Sequence, residues 1–176
     1  ITELKEGIFY IWGKERVLLN LMVVSLITEL ILHPVWFLLP VFTEEVLGKG
    51  ADVGGYLLTA TGVGGLLSTI VIVWFGFVFK RGLVCLGSVI ISSLSVIALA
   101  QSSWYPAAIV LIGLMAFAQS TFRTSYGSIV QTLVPDHLRS RVTSLQGYGR
   151  AFVIVTSLIF GWVATTTSIR VTIILM

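Results

Sequence analysis

Five long apolar segments, separated by short polar stretches, constrain the fold of this chain more than any other feature of its sequence. The segments cover residues 17–42, 54–79, 83–101, 106–133 and 142–165, and a sixth, truncated one begins near Ile169. A helix needs about 20 apolar residues to cross a hydrocarbon core roughly 30 Å thick. A barrel strand needs only about ten residues, in strict alternation, so these continuous segments indicate helices. We therefore predict an all-α, polytopic membrane helix bundle surrounded by the lipid bilayer.

Composition agrees with a membrane protein and narrows the class of partners. Hydrophobic residues make up 56% of the 176-residue chain and charged residues 11%, whereas soluble domains carry about 25% charged residues. The net charge of +3 is small and scattered, so no nucleic-acid partner is predicted. The single cysteine, Cys85, excludes an internal disulfide framework and any multi-cysteine metal site. We predict that the protein uses no metal and no cofactor.

The distribution of basic residues predicts the orientation in the membrane. Seven lie on one side of the predicted spans: Lys5, Lys14, Arg16, Lys80, Arg81, Arg139 and Arg141. The opposite side has only Lys49 and Arg170. Basic residues concentrate in cytoplasmic loops, so we predict a multi-pass protein of the cell (inner) membrane with its N-terminal side in the cytoplasm. Residues 1–16 would form a linker helix at the membrane surface, and residues 17–176 the transmembrane bundle.

Four ionisable side chains fall inside the predicted spans, namely those of Glu29, His33, Arg123 and Arg150. A charge at the bilayer centre costs roughly 2.5–3.5 kcal/mol on insertion scales. Glu29 lies near the midplane and must be protonated, paired or facing a water-filled cavity; pairing with Arg123 is one hypothesis. His33 follows one turn later and either hydrogen-bonds Glu29 or has a functional role. The two arginines could instead extend to the cytoplasmic headgroups.

Helical spacing places further polar residues on one side of two predicted spans. Gln119, Arg123 and Tyr126 share a face of the fourth span, and Gln146 and Arg150 share a face of the fifth. Polar residues gathered on one side of an otherwise apolar helix favour a role in lining a cavity.

Small residues recur at helical spacing in the second and third spans, and proline occurs in the first. The rows are Ala60, Gly64 and Ser68; Thr61, Gly65 and Thr69; and Ser88, Ser92 and Ser95. Such rows favour close helix packing, because small side chains let backbones approach; a surface on which bundles slide is the alternative. Pro34 predicts a kink, because proline removes a backbone donor, and the kink is either a simple bend or a hinge.

A sequence signature lies between the fourth and fifth segments, where residues 131–142 read QTLVPDHLRSRV. This stretch resembles the Q-x-L-V-P-D-x-x-R-G-R-V signature of the major facilitator superfamily, in its enterobactin-exporter-like and multidrug-efflux branch, with Ser140 in place of the central glycine. Residues 6–11 resemble the linker between the two bundles of such transporters, and residues 39–58 resemble the junction of their seventh and eighth helices. The resemblance implies a fragment: a partial C-terminal six-helix bundle, helices seven to eleven plus the start of twelve, without the N-terminal bundle of the same chain.

The resemblance also implies a function, namely proton-coupled export of a small organic compound, drug-like or siderophore-like, by alternating access. On this interpretation Glu29 couples proton movement to transport. The substrate cavity would be lined by Glu29, His33, Gln119, Arg123, Gln146 and Arg150. The cytoplasmic gate and the topology would depend on Lys80, Arg81, Asp136, Arg139 and Arg141.

Other functions fit parts of the sequence. An uptake permease of the same superfamily would share the features above, and a non-transporting scaffold subunit would explain the small-residue rows but not the charges within the spans. An intramembrane enzyme is disfavoured, because no catalytic carboxylate pair, metal-ligand cluster or serine–histidine arrangement is apparent. The sequence therefore favours a transporter, and it leaves the substrate, the coupling ion and the direction open.

Overall fold

The computed structural model describes residues 16–75, 80–167 and 169–175, and these residues form helices without any strand. The prediction of an all-α membrane helix bundle is confirmed. The helices are α1 (Arg16–Leu32), α2 (Pro34–Glu45), α3 (Ala51–Phe75), α4 (Arg81–Gln101), α5 (Tyr105–Leu133), α6 (Asp136–Thr166) and α7 (Ile169–Leu175). The predicted linker, residues 1–16, lies outside the described residues except for Arg16.

Four stretches of the described residues are long and apolar enough to cross a membrane. They are Leu19–Glu45, which joins α1 and α2, then Asp52–Trp74, Arg81–Gln101 and Tyr105–Leu133. In α6 the apolar stretch Phe152–Thr166 is shorter than a span, although the helix itself is 31 residues long. The first four predicted spans thus have helical counterparts, whereas the fifth and the truncated sixth stay predictions.

The first span is interrupted at His33, which separates α1 from α2. Pro34 has no N–H to donate to the carbonyl of Leu30, so one helical hydrogen bond is missing there. The His33 amide still donates to the Glu29 carbonyl at 3.2 Å, and the Trp36 amide donates to the His33 carbonyl at 3.1 Å. The helix is interrupted next to Pro34, as a missing donor requires; the predicted kink, as a simple bend or as a hinge, stays a prediction.

Close packing of α3 against α5 depends on one row of small residues. A Cβ atom at Gly64 would lie 2.2 Å from the carbonyl oxygen of Gly113, so no larger residue fits there without a shift of backbone. Four residues on, the hydroxyls of Ser68 and Thr121 lie 2.9 Å apart. Thr121 also donates its proton to the Phe117 carbonyl at 2.8 Å, so Ser68 is the donor between them. The row that contains Gly64 therefore packs tightly, as predicted.

The neighbouring row of small residues on α3 has a different environment. A Cβ atom at Gly65 would meet nothing within 4 Å of the described atoms, and Thr69 is exposed. The hydroxyl of Thr69 donates to the carbonyl of Gly65 at 3.1 Å, within the same helix. Close packing thus holds for one of the two predicted rows on α3.

The serine row on α4 is buried. Ser88 and Ser95 each donate to the carbonyl four residues before them at 2.7 Å. The hydroxyl oxygen of Ser92, which is 1% exposed, has no hydrogen-bond partner among the described residues. A buried hydroxyl without a partner costs roughly 1–3 kcal/mol, so Ser92 is a weak point of this interface.

The buried apolar side chains in the described part of the chain form two clusters. The larger, here called the Phe42 cluster, contains Leu32, Val35, Leu38, Leu39, Phe42, Leu57, Val96, Leu99, Ala100, Ala108, Ile112, Met115, Ile169 and Ile173. The smaller, here called the Tyr126 cluster, contains Cys85, Phe122, Tyr126, Val130, Val134 and Val142. On α5 the first cluster ends at Met115 and the second begins at Phe122, so residues 116–121 separate the two clusters along this helix.

Candidate functional site

An ion pair joins α1 to α5 near the boundary between the two apolar clusters. Both Nε and Nη2 of Arg123 donate to Oε1 of Glu29, at 3.0 and 2.7 Å. The hypothesis that Glu29 pairs with Arg123 is therefore confirmed. The side chain of Glu29 is 19% exposed and that of Arg123 is 51% exposed, so the cation presents much more of its surface than the carboxylate.

His33 contacts the same carboxylate from the point where the first span is interrupted. Its Nδ1 lies 3.5 Å from Oε2 of Glu29, and its ring lies 6.1 Å from the ring of Phe37. The structure places His33 against Glu29, in agreement with one of its two expected roles, and a functional role stays a prediction. The carboxylate contacts Arg123 through one oxygen and His33 through the other.

A second polar contact joins the broken span to α5. The indole N–H of Trp36 donates to the side-chain oxygen of Gln119 at 3.3 Å. Gln119 lies one turn before Arg123 on α5, while Trp36 and Glu29 lie on opposite sides of His33. Each half of the broken span is therefore bound to the same face of α5 by one polar contact.

Glu29, His33, Gln119 and Arg123 line an open cleft together with Thr28 and Phe122, and its cavity volume is about 10 Å³, which is room for about one water molecule. Closed sites for small molecules enclose roughly 300–1,000 Å³, so the cleft alone is too small to enclose such a ligand. Its polar groups are a carboxylate, a guanidinium, an imidazole, an amide and a hydroxyl. No group of three or more metal-ligating side chains occurs among the described residues. The groups at the cleft can form hydrogen bonds and ion pairs.

Two of the basic residues predicted to form the cytoplasmic gate contact the carboxyl end of α5. Nη1 of Arg81 donates to the Thr132 hydroxyl at 3.2 Å, and Nη2 of Arg139 donates to the Gln131 carbonyl at 2.9 Å. Arg139 also pairs with Asp136 at 2.7 Å. The carboxyl end of a helix carries partial negative charge, which these two arginines balance.

The comparison with protein families decides the class of this protein. The profile described as transmembrane secretion effector matches residues 3–176, which is nearly the whole chain. The chain belongs to this family. It is a family of major facilitator transporters, so the chain is a multi-pass membrane protein of a transporter family, and the resemblance to that superfamily is confirmed at this level. No curated protein and no solved structure matched the chain.

The structure brings together four of the six residues predicted to line the cavity: Glu29, His33, Gln119 and Arg123. Gln146 and Arg150 lie on α6, and their side chains are outside the described part of the structure, as is that of Arg141 at the predicted gate. Lys80, also predicted at the gate, is exposed just before α4.

Two aromatic residues depart from the expectations. Tyr126 was expected on the polar face, but it is 5% exposed and stacks on Phe122 at 5.9 Å within its apolar cluster. Packing against neighbouring helices turns that position inward, although it is only one turn from Arg123. Trp36 was not predicted, and its signal is an indole N–H within an apolar span, which needs an acceptor.

Proposed function

We propose that this protein performs proton-coupled export of small organic compounds by alternating access, and that the cleft at the Glu29–Arg123 pair is part of the substrate pathway. The observation that carries the proposal is an ion pair that joins two membrane-spanning segments and lines an open cleft. The family description, which refers to secretion, supports the outward direction. Drug-like or siderophore-like compounds are the proposed substrates, and the inner membrane is the proposed location, with the N-terminal side in the cytoplasm.

The energetic cost of the pair supports transport over a purely structural role. Charges within a membrane are expensive, and a buried ion pair is often no more stabilising than apolar residues of similar volume. A scaffold would therefore lose little stability if the pair were replaced by apolar residues. A transporter, in contrast, needs groups whose charge can change during its cycle.

A proton on Glu29 would neutralise the carboxylate and leave Arg123 without its counter-ion. The ion pair joins α1 to α5, so its loss would weaken the attachment of one half of the broken span while Trp36 still holds the other. This asymmetry provides a physical link between proton binding and movement at the break. Glu29 is therefore our proposed proton-coupling group.

The remainder of the site is proposed to come from elements beyond the cleft. We propose that Gln146 and Arg150 extend the same cavity and that an N-terminal bundle closes it, because the cleft is open and small. In this arrangement the chain corresponds to the C-terminal bundle of its transporter. The cluster around the end of α5 would form the cytoplasmic gate.

The test uses the full-length protein in liposomes that contain a pH-sensitive dye. Three coumarin probes are added in turn: an uncharged 7-methoxycoumarin-3-carboxamide, the corresponding 3-carboxylate, and a 3-trimethylammoniomethyl cation. We expect at least one probe to trigger proton flux in the wild type, and we expect Glu29→Gln to abolish that flux. Glu45→Gln, at an exposed end of α2, is the matched control and should behave like the wild type.

Two results would contradict the proposal. Unchanged proton flux in Glu29→Gln would show that this carboxylate does not couple protons. Absence of flux with all three probes in the wild type would argue against proton-coupled transport by this protein.

A further inference from the structure

The contact between Trp36 and Gln119 determines which atom of the Gln119 amide is left available for another hydrogen bond. An indole N–H can only donate a hydrogen bond, so the amide oxygen of Gln119 must be the atom that accepts it. The amide nitrogen, with two N–H groups, then points away from Trp36. No described residue bonds to this nitrogen, and Gln119 lines the cleft.

Arg123 is arranged in the same way one turn further along α5. Its Nε and Nη2 atoms are used by Glu29, which can only accept. No described residue bonds to its Nη1, and half of the side chain is exposed. Residues four apart on a helix have Cβ atoms about 5–6 Å from each other, so Gln119 and Arg123 are neighbours on α5, both line the cleft and each has an unused donor group.

We propose that Gln119 and Arg123 form a donor pair that binds an uncharged substrate through two acceptor oxygens, such as those of carbonyl groups. This inference rests on the proposed function, since it specifies the substrate class of the same cleft. The ion pair leaves the cleft without net charge from Glu29 and Arg123. Glu29 would repel an anionic substrate and Arg123 would repel a cationic one, whereas neither charge repels an uncharged substrate that accepts hydrogen bonds.

In this arrangement Trp36 is a positioning residue, because it holds the amide of Gln119 without touching the substrate. Without the indole N–H, the amide could rotate and present its oxygen to the cleft. The same rotation would leave the size and polarity of the cleft unchanged. The orientation of the amide is therefore a separate requirement from its presence.

The test measures binding of the three coumarin probes to the full-length protein in nanodiscs, by fluorescence anisotropy, with empty nanodiscs subtracted. The wild type should bind the carboxamide, which has two carbonyl oxygens, more tightly than the carboxylate or the cation. Gln119→Glu keeps an oxygen that can accept from Trp36 but presents no donor to the cleft. We expect it to weaken carboxamide binding on the order of ten-fold, the loss of about one hydrogen bond. Gln101→Glu, at the exposed end of α4, is the matched control and should not change binding.

Trp36→Phe removes the indole N–H but keeps an aromatic ring, so it tests the hydrogen bond to Gln119 separately from the packing of the side chain. It should weaken carboxamide binding several-fold while the thermal unfolding midpoint of the protein changes little. If Gln119→Glu bound the carboxamide as well as the wild type, or if the wild type preferred the cation, the donor pair would be refuted. If either of these results occurred while proton flux was normal, the proposed function would remain intact. If the protein bound the carboxamide selectively but showed no proton flux, only the proposed function would be overturned.

Discussion

Replacement of Gly64 by alanine tests whether α3 and α5 are held together by backbone contact. The new Cβ atom would lie 2.2 Å from the carbonyl oxygen of Gly113 and 3.0 Å from the amide nitrogen of Phe117. Carbon and oxygen atoms in close contact normally stay about 3.3–3.6 Å apart. The two helices would therefore have to separate by about 1 Å along their contact.

The expected loss of stability follows from this separation of the two helices. A gap of 0.5–1 Å forfeits roughly a quarter to a half of the dispersion attraction across it, and overpacking costs about 1–3 kcal/mol. The obstructing atoms belong to the backbone and cannot rotate away, so we expect the upper part of that range. Alanine gains about 1 kcal/mol over glycine in helix propensity. Gly65→Ala shares this gain without a clash, since nothing described lies within 4 Å of its Cβ position.

Thermal unfolding of the two variants provides the measurement. Cys85 is the only cysteine of this chain and is 1% exposed, so its reaction with a fluorogenic maleimide reports unfolding. A difference of about 2–3 kcal/mol corresponds to about 4–12 °C for a protein of this size. Gly64→Ala should unfold below Gly65→Ala by that margin. If Gly64→Ala unfolded at or above the temperature of Gly65→Ala, tight packing at Gly64 could not be maintained as an explanation.

Two further substitutions test features of the first and third spans. Ser92→Ala removes a buried hydroxyl that lacks a partner among the described residues, so it should raise the unfolding temperature and stabilise the protein by about 1 kcal/mol. Ser88→Ala removes a hydroxyl that is hydrogen-bonded, so it should not stabilise the protein. Equal effects of the two in the maleimide assay would contradict this explanation. Pro34→Ala should restore a donor towards the Leu30 carbonyl and stabilise the continuous helix; if the break acts as a hinge, proton flux in liposomes should fall, and unchanged flux would identify a simple bend.

The sequence predicts the helices and one central contact for clear physical reasons. Continuous apolar segments of about 20 residues have few alternatives to helices in lipid. A carboxylate near the midplane needs a partner, and few cations lie at a similar depth, which made Arg123 a specific candidate for Glu29. The confirmed pair shows that the energetic cost of a charge within the bilayer can identify contacts between distant parts of a membrane protein.

Other features could not be predicted because they depend on how the helices rotate against one another. Gly64 and Gly65 are adjacent and belong to equivalent rows, and only the packing of α5 distinguishes the one in contact from the one left open. Tyr126 lies one turn from Arg123, yet the neighbouring helices direct it into an apolar cluster. The bond from Trp36 to Gln119 depends on the direction of the chain after the break at His33.

The separation of the Phe42 cluster from the Tyr126 cluster has a consequence for how the bundle tolerates sequence change. Substitutions at distant, separately packed sites usually have additive effects on the free energy of unfolding, whereas substitutions of residues in contact do not. A change in side-chain volume at Ile112 should therefore be compensated by substitutions in the same cluster, such as at Leu99, and not by substitutions at Val130 in the Tyr126 cluster. The two ends of the bundle can then diverge independently in evolution, while the residues between them are constrained by both.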